Sequence, residues 1–389
     1  MKNVIHRILL YIFRNINYLN KLIKTLPSGI IYNIKEESRE NLHITNFEII
    51  QDKYIDEISN IDYNIANNNE FAIYKQLSYP EIFTCTFNNV IACTKSGFII
   101  DCNSKKVFAE TNPYKEAALN QYDFYYSLMP TKVIKIKANN AFFLISTTNY
   151  CHWFSEFLPI LINILKYYKN HNIYITKLIH KWQSDSIKML DINLNSLIQI
   201  NSSDKYIHFD KLNFISFGGI GAGIPDLKNI IILKNNLIDK LNAKCNPKYS
   251  KIYISRKQAN HRKVVNEKEL EAFLYKRGFI SLCMEDYSVQ KQLSILKDAS
   301  LIIAVHGPAL INTIVTENSN IIELANDHHI TASFFRFATV GNNKYFLIKC
   351  QSIGEPKIIN NNKFYGYCDI LVDINKLGNI IYSIENNLF

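Results

Sequence analysis

Leu301-Ile302-Ile303-Ala304-Val305-His306-Gly307-Pro308-Ala309-Leu310-Ile311-Asn312 carries the strongest structural signal in the chain. An apolar run too short for a helix leads into His-Gly-Pro, and a second apolar run follows. The pattern predicts a buried parallel strand, a tight turn at Gly307 and a new helix. Pro308 suits the first helical position, where its missing N–H costs nothing. Gly307 lets the backbone turn sharply and approach a ligand closely. The helix then directs its unsatisfied N–H groups and the positive end of its dipole at whatever lies beside His306. An ordinary strand–helix corner with a buried histidine fits the same residues equally well, so the neighbouring elements must decide.

On the N-terminal side, Lys251–Ser255 reads as a strand, followed by a basic loop carrying Arg256, Lys257, His261, Arg262 and Lys263. Asn266 with Glu269 makes a capping-box-like start to a helix through Lys276, which Gly278 closes. Phe279–Met284 is a strand ending at Glu285, and Ser288 caps a helix over Val289–Lys297. On the C-terminal side come a strand over Asn320–Leu324 carrying Glu323, a helix over Ser333–Val340, a strand over Tyr345–Lys349 and a closing helix at 374–386. Regular β–α alternation means a parallel, doubly wound sheet.

In such a sheet the strand ends lie along one edge, where ligands bind. Arg256, Lys257, Glu285, His306, Gly307 and Glu323 should therefore line one crevice. Cations beside a helix N-terminus make a diphosphate site, and a nearby carboxylate can hold a ribose diol. The implied ligand is a nucleotide or nucleotide-sugar. No Asp-x-Asp pair for a divalent metal occurs in the chain, so Arg256, Arg262 and backbone N–H groups would balance the diphosphate charge.

The first half is less regular. Residues 31–75 are polar, and 82–110 read as a small antiparallel meander, with Asn88-Asn89 among its turns. Two strands, Lys132–Ile136 and Ala141–Ile145, precede Asn149-Tyr150-Cys151-His152-Trp153-Phe154-Ser155-Glu156-Phe157-Leu158-Pro159. Asn149 suits a helix cap, His152 and Glu156 share one helix face, and Pro159 should kink the helix. An imidazole and a carboxylate so placed form an acid–base pair. A capping histidine beside a solvated glutamate is the alternative. The glycine-rich loop at 217–225 fits neither the Walker pattern nor GxGxxG and reads as a connector. Cys245-Asn246-Pro247 marks the boundary between an N-terminal domain at 31–245 and a C-terminal one at 246–389.

The 389 residues carry a net charge of +10, with 48% hydrophobic and 20% charged, enough for a large core and two domains. The charge follows heavy use of Asn, Ile and Lys, so it does not point to nucleic acid, and no aromatic-basic recognition motif accompanies it. The eight cysteines form no CxxC pair, which excludes the common zinc and redox motifs and reads as reduced thiols. Residues 1–30 have an apolar run too short and too broken by Lys and Arg for a membrane span. They make a basic amphipathic segment, which either contacts an anionic membrane surface or packs on its own domain.

Several of these residues also resemble a known family. Asn149-Tyr150-Cys151-His152-Trp153 with Leu158-Pro159 is similar to the first signature of glycosyltransferase family 61, the DUF563 group. Ser255-Arg256, Arg262, Asn266-Glu267, Gly278-Phe279, Glu285, Ser288, Gln292, His306-Gly307, Asn312 and Glu323 resemble its second. The resemblance spans roughly 82–326. The family commonly has a second glycine two residues after its His-Gly, where this chain has Pro308 and Ala309. The resemblance implies a GT-B-like α/β fold, with two Rossmann-like domains whose parallel sheets face a cleft. It also implies inverting, metal-independent transfer from a nucleotide-sugar to a glycan or glycolipid, with no cofactor. Bacterial relatives serve capsular or other surface polysaccharide synthesis and eukaryotic ones are secretory and anchored, and the lack of a convincing anchor favours the cytoplasmic bacterial setting.

On this reading His152 takes the acceptor proton and Glu156 orients it or is itself the base. Arg256, Lys257 and Arg262 hold the leaving diphosphate. His306, Gly307, Pro308, Ala309 and Asn312 contact the donor, with Glu285 at the crevice and Glu323 on ribose. A non-catalytic nucleotide-sugar-binding subunit of a polysaccharide assembly complex is the competing expectation.

Overall fold

A computed structural model describes residues 29–40, 43–57, 76–112, 133–138, 140–168, 170–201, 206–220, 223–241, 247–359 and 362–388. All but the end of the segment expected at 1–30 lies outside the described residues, as do Gly221-Ala222 of the glycine-rich loop and Cys245-Asn246.

Leu301–Val305 is a strand buried along its whole length, as an apolar run covered on both faces requires. Its sheet runs in the order Ile280–Leu282, Lys251–Ile254, Leu301–Val305, Asn320–Asn326, Lys344–Ile353, Asp369–Leu371. The first five strands are parallel and the last is antiparallel. Helices Val289–Leu296 and Ser333–Thr339 pack with Ile302, Ala304 and Ile321 on one face. Helices Glu267–Tyr275 and Ile374–Glu385 pack with Ile303, Ile322 and Phe346 on the other. This is the doubly wound arrangement that the β–α alternation predicts.

The segment after Gly307 differs from the expected α-helix, because Pro308–Val315 is a 3-10 helix. Ile311, Thr313, Ile314 and Val315 are β-branched and lose χ1 freedom in an α-helix. Thr313 Oγ1 also donates to Leu310 O at 2.7 Å, a local bond that competes with the α-helical ladder. Gly307 is extended, with φ 174°, so no sharp turn depends on it. Its value is close approach, since a methyl group there would overlap Arg256 Nη1.

The capping box expected at Asn266 is also replaced. Asn266 makes no side-chain cap. Its amide instead donates to Val372 O at 2.9 Å and accepts from Val372 N at 3.1 Å, fastening the helix start to the chain after the edge strand.

The front half corrects the expectation of a second Rossmann-like parallel sheet, while the antiparallel meander expected at 82–110 is present within a larger sheet. Ten strands form one mixed sheet. Ile82–Cys93 is a single strand of 12 residues, antiparallel to Tyr206–Ile215 and to Ile44–Gln51. Asn88-Asn89 do not turn the chain. Asn89 sits within the strand at φ 57°, a conformation asparagine tolerates. Ile99–Asp101 and Lys106–Phe108 extend this antiparallel wing. On the other side Tyr206–Ile215 pairs in parallel with Val133–Ile136 and Ala141–Leu144. Asn172–Thr176 and Leu197–Ile200 continue the parallel part.

The stretch 31–75 is ordered where described, with helix Ile34–Glu40 and strands Ile44–Gln51 and Tyr54–Glu57. One apolar cluster joins front to rear. Trp153, Phe154 and Leu158 share it with Leu233 and Leu237 of helix Leu227–Ile238 and with Ile302, Leu310 and Phe335.

Candidate functional site

Strand Lys251–Ile254 ends at Ser255, whose Oγ donates to Glu267 at 2.5 Å. Arg256 follows, half-buried. Its Nη2 donates to His261 O at 3.2 Å, and its Nε is buried without a partner. Arg262 adopts φ 59°, the left-handed region that costs a non-glycine residue free energy. Its Nε donates to Gly366 O. Among the described residues neither guanidinium lies within ion-pair distance of a carboxylate. Burial first, then the Arg262 charge, lowers the pKa of Arg256, and burial lowers that of Arg262. Arginine stays protonated regardless. Two partly desolvated cations side by side, short of counter-charge, are an anion site in physical terms.

His306 ends the central strand beside this pair and is buried. Its Nδ1 bonds to Glu323 Oε1, and Tyr345 OH donates to Glu323 Oε2. Glu323 is 1% exposed, so the carboxylate expected to hold ribose faces His306 from beneath. With Glu323 accepting, Nδ1 carries the hydrogen and Nε2 is the acceptor, a tautomer assigned from the bonding. His329 meets His306 edge-on, with ring centroids 5.4 Å apart. Burial, with His306 and Arg262 nearby, pushes the His329 pKa down to about 4.

The other expected donor contacts separate. Lys257 reaches Glu271 at 3.2 Å on the exposed outer side. Glu285 is exposed in a 3-10 turn, and its charge acts on Arg256. Pro308 and Ala309 open the 3-10 helix, half-buried, with Ala309 packed on the core. Asn312, 1% exposed, donates to Gln292 Oε1 at 2.8 Å and accepts from Tyr150 OH at 2.9 Å. It fastens the front helix to the rear sheet's connections.

The front helix begins where Asn149 Oδ1 accepts from Cys151 N and His152 N. It passes through a π-helical turn, Trp153–Phe157, before continuing as Leu158–Tyr167. Pro159 lies inside this continuous helix, where it removes one N–H from the ladder, and the π-turn directly precedes it. Such π-turns are frequent at functional sites. Here His152 Nδ1 comes within 2.9 Å of Glu156 Oε1. Both side chains line a cavity of about 530 Å³, with Ser96, Asn112, Phe143 and Phe214 among its walls. No residue of the rear sheet lines it. The structure therefore assembles Arg256, Arg262, His306 and Gly307 at one place, and His152 with Glu156 at another. Tyr150 joins the two through Asn312.

Sequence reasoning missed Tyr150, Tyr345 and His329. His329 had a readable signal, since it follows the end of strand Asn320–Asn326 on the ligand-binding edge. Tyr345 opens a strand and carried none. Among the described residues no group of three or more His, Cys, Asp or Glu is placed to hold a metal. None of the seven described cysteines is in a disulfide, and no described helix is long and apolar enough to cross a membrane.

Comparison with known proteins adds the following. The family model for Glycosyltransferase 61 matches residues 150–322, which takes in His152, Glu156, the arginine pair and His306, and supports glycosyltransferase activity. The match spans less than half of the chain. One similar solved structure is a dodecameric iron-containing heptosyltransferase, TibC, in complex with ADP-D-beta-D-heptose. It is 11% identical, with a TM-score of 0.30 and coverage of 57% of this chain and 65% of that one. This chain thus spans slightly less than two thirds of that relative. A second is a bacterial iron-containing dodecameric glycosyltransferase, TibC from enterotoxigenic E. coli H10407, 11% identical, with a TM-score of 0.36 and coverage of 66% and 78%. Likeness at these TM-scores carries no argument for this chain. No curated protein matches the sequence.

Proposed function

We propose that the protein is an inverting glycosyltransferase that moves a sugar from a nucleotide-sugar to a hydroxyl of a glycan or glycolipid. The observation that carries this is the pair Arg256 and Arg262, partly buried and with no carboxylate within ion-pair distance among the described residues, at the carboxyl edge of the parallel sheet beside His306 and Gly307. In the reaction the acceptor oxygen bonds to the anomeric carbon as the bond from that carbon to the diphosphate oxygen breaks. The leaving electron pair goes to the diphosphate, whose growing charge the two guanidinium groups neutralise. The acceptor proton goes to His152 Nε2, with Glu156 accepting the Nδ1 hydrogen and holding the ring. Glu323 and Tyr345 do the same for His306, which turns its Nε2 side to the donor. The proposal keeps a GT-B-like closure of the two halves over the reactants, uses no metal, and places the enzyme in surface polysaccharide synthesis on the cytoplasmic side.

The test is donor binding and transfer by wild type and His152→Ala. The variant is expected to bind nucleotide-sugar as wild type does and to lose turnover by about 10²- to 10⁴-fold. A second reading, a nucleotide-sugar-binding subunit without catalysis, is favoured by the lining of the His152 cavity, which includes no rear residue. Wild type that binds donor yet transfers to no glycan acceptor would support it.

A further inference from the structure

The nucleoside half of the proposed ligand lacks the partner that the sequence suggested, because Glu323 is buried and committed to His306 and Tyr345. Another surface adjoins the arginine pair. From His306 a chain of ring contacts runs to His329 at 5.4 Å, from His329 to Phe364 at 5.1 Å, from Phe364 to Tyr367 at 5.2 Å and from Tyr367 to His261 at 4.9 Å. His261 closes the circuit, since its carbonyl accepts from Arg256. Arg262 is bound to the collar through Gly366 O, so Tyr365 and Tyr367 flank the residue that holds an arginine. Tyr365 also stacks with His328 at 4.5 Å, and the His328 side chain is 56% exposed. Gly366 is obligatory for this packing, because a Cβ there would overlap the Phe364 ring.

The collar lies outside residues 150–322, the segment that the glycosyltransferase model matches, apart from His261 and His306. An aromatic patch this close to two cations that have no carboxylate within ion-pair distance among the described residues is suited to a ligand with both a flat ring and a polyanion. Imidazole, phenyl and phenol faces take any base by stacking, and the cations take the phosphates. Burial, followed by the two arginine charges, holds the His261 pKa below its ordinary value, and Lys357 Nζ stands 4.1 Å over the Tyr367 ring.

We infer that the collar formed by Phe364-Tyr365-Gly366-Tyr367 with His261, His328 and His329 is the nucleobase subsite of the donor, and that the ligand of the arginine pair is a nucleoside diphosphate group. The inference rests on the proposed diphosphate site at Arg256 and Arg262.

Calorimetric titration of the full chain with inorganic pyrophosphate and with ADP, GDP, CDP and UDP tests the two separately. At least one nucleoside diphosphate should bind wild type roughly tenfold or more tightly than pyrophosphate, the contribution of one stacked base. Tyr365→Leu and Tyr367→Leu keep side-chain bulk and remove the ring. Either should erase most of that advantage while leaving pyrophosphate affinity unchanged, and Tyr365→Phe and Tyr367→Phe should retain it. If pyrophosphate binds and no nucleoside diphosphate binds more tightly, the subsite is refuted and the anion site stands. If Leu variants that keep wild-type pyrophosphate affinity also keep the full nucleotide advantage, the collar is not the subsite. If neither pyrophosphate nor any nucleotide binds, the anion site fails and the subsite with it.

Discussion

Arg256 illustrates how a single side chain can carry the reading of a site. It is held against Gly307, tied to His261 O and left with a buried Nε that has no partner. Removing it should weaken nucleotide-sugar binding on the order of 10- to 100-fold, the worth of a charged hydrogen bond, with little change in melting temperature. Titration calorimetry beside a thermal melt checks both parts. Gly307→Ala makes a different demand, because the new methyl group and Arg256 Nη1 compete for one place. The clashing atom is the far end of a flexible side chain, so urea unfolding should change little while donor binding weakens as the guanidinium is displaced.

His329 makes a prediction in pH. Its folded-state pKa, about 4, lies below the ordinary 6.5, so the unfolded chain binds its proton more readily. The stability it contributes is present above about pH 6.5 and is lost as pH falls toward 4. His329→Gln should flatten the melting temperature over that window, and an unchanged slope would count against the assignment. A bound diphosphate reverses the local charge and raises the pKa of the imidazole. Donor binding should then take up protons, and its affinity should strengthen as the pH is lowered from 8 to 6.

At the scale of elements, the front helix and the 3-10 segment after Gly307 meet through Tyr150, Asn312 and Gln292. Tyr150→Phe keeps the ring and removes the hydroxyl. It should cost about 0.5–1.5 kcal/mol of stability. It should also lower kcat while leaving donor KM near the wild-type value, because the helix carrying His152 loses its fastening to the donor side. Rescue by a polar replacement is not expected, since the ring packs against Phe154 and Trp182.

The rear elements were legible because their cause is local. Leu301–Val305 is all apolar, Ser288 caps through its own hydroxyl, and strands alternate with helices at regular spacing. The site's edge followed from that alternation, so the sequence alone placed Arg256, Arg262 and His306 together. The role of Glu323 was not legible, because its orientation depends on Tyr345, a cross-strand neighbour 22 residues away. The 3-10 helix was hidden because apolar periodicity does not separate it from an α-helix. The Asn266 box was overridden by a partner 106 residues further on.

The whole molecule shows the same division. The parallel rear sheet is encoded in short β–α units, whereas the front sheet is built from distant segments. Ile82–Cys93 pairs with Tyr206–Ile215 across more than a hundred residues, which no local pattern announces. That pairing makes the expected meander one wing of a ten-stranded sheet. The shared core of Trp153, Leu233, Ile302 and Leu310 then fixes the His152 helix against the rear connections.

Titration of wild type and Arg256→Ala with a panel of nucleotide-sugars asks whether the rear edge binds the diphosphate of a sugar donor through its arginine pair. At least one donor should saturate wild type, and the variant should bind it far more weakly. No binding to wild type by any donor, or equal binding by both proteins, would refute donor binding at this pair.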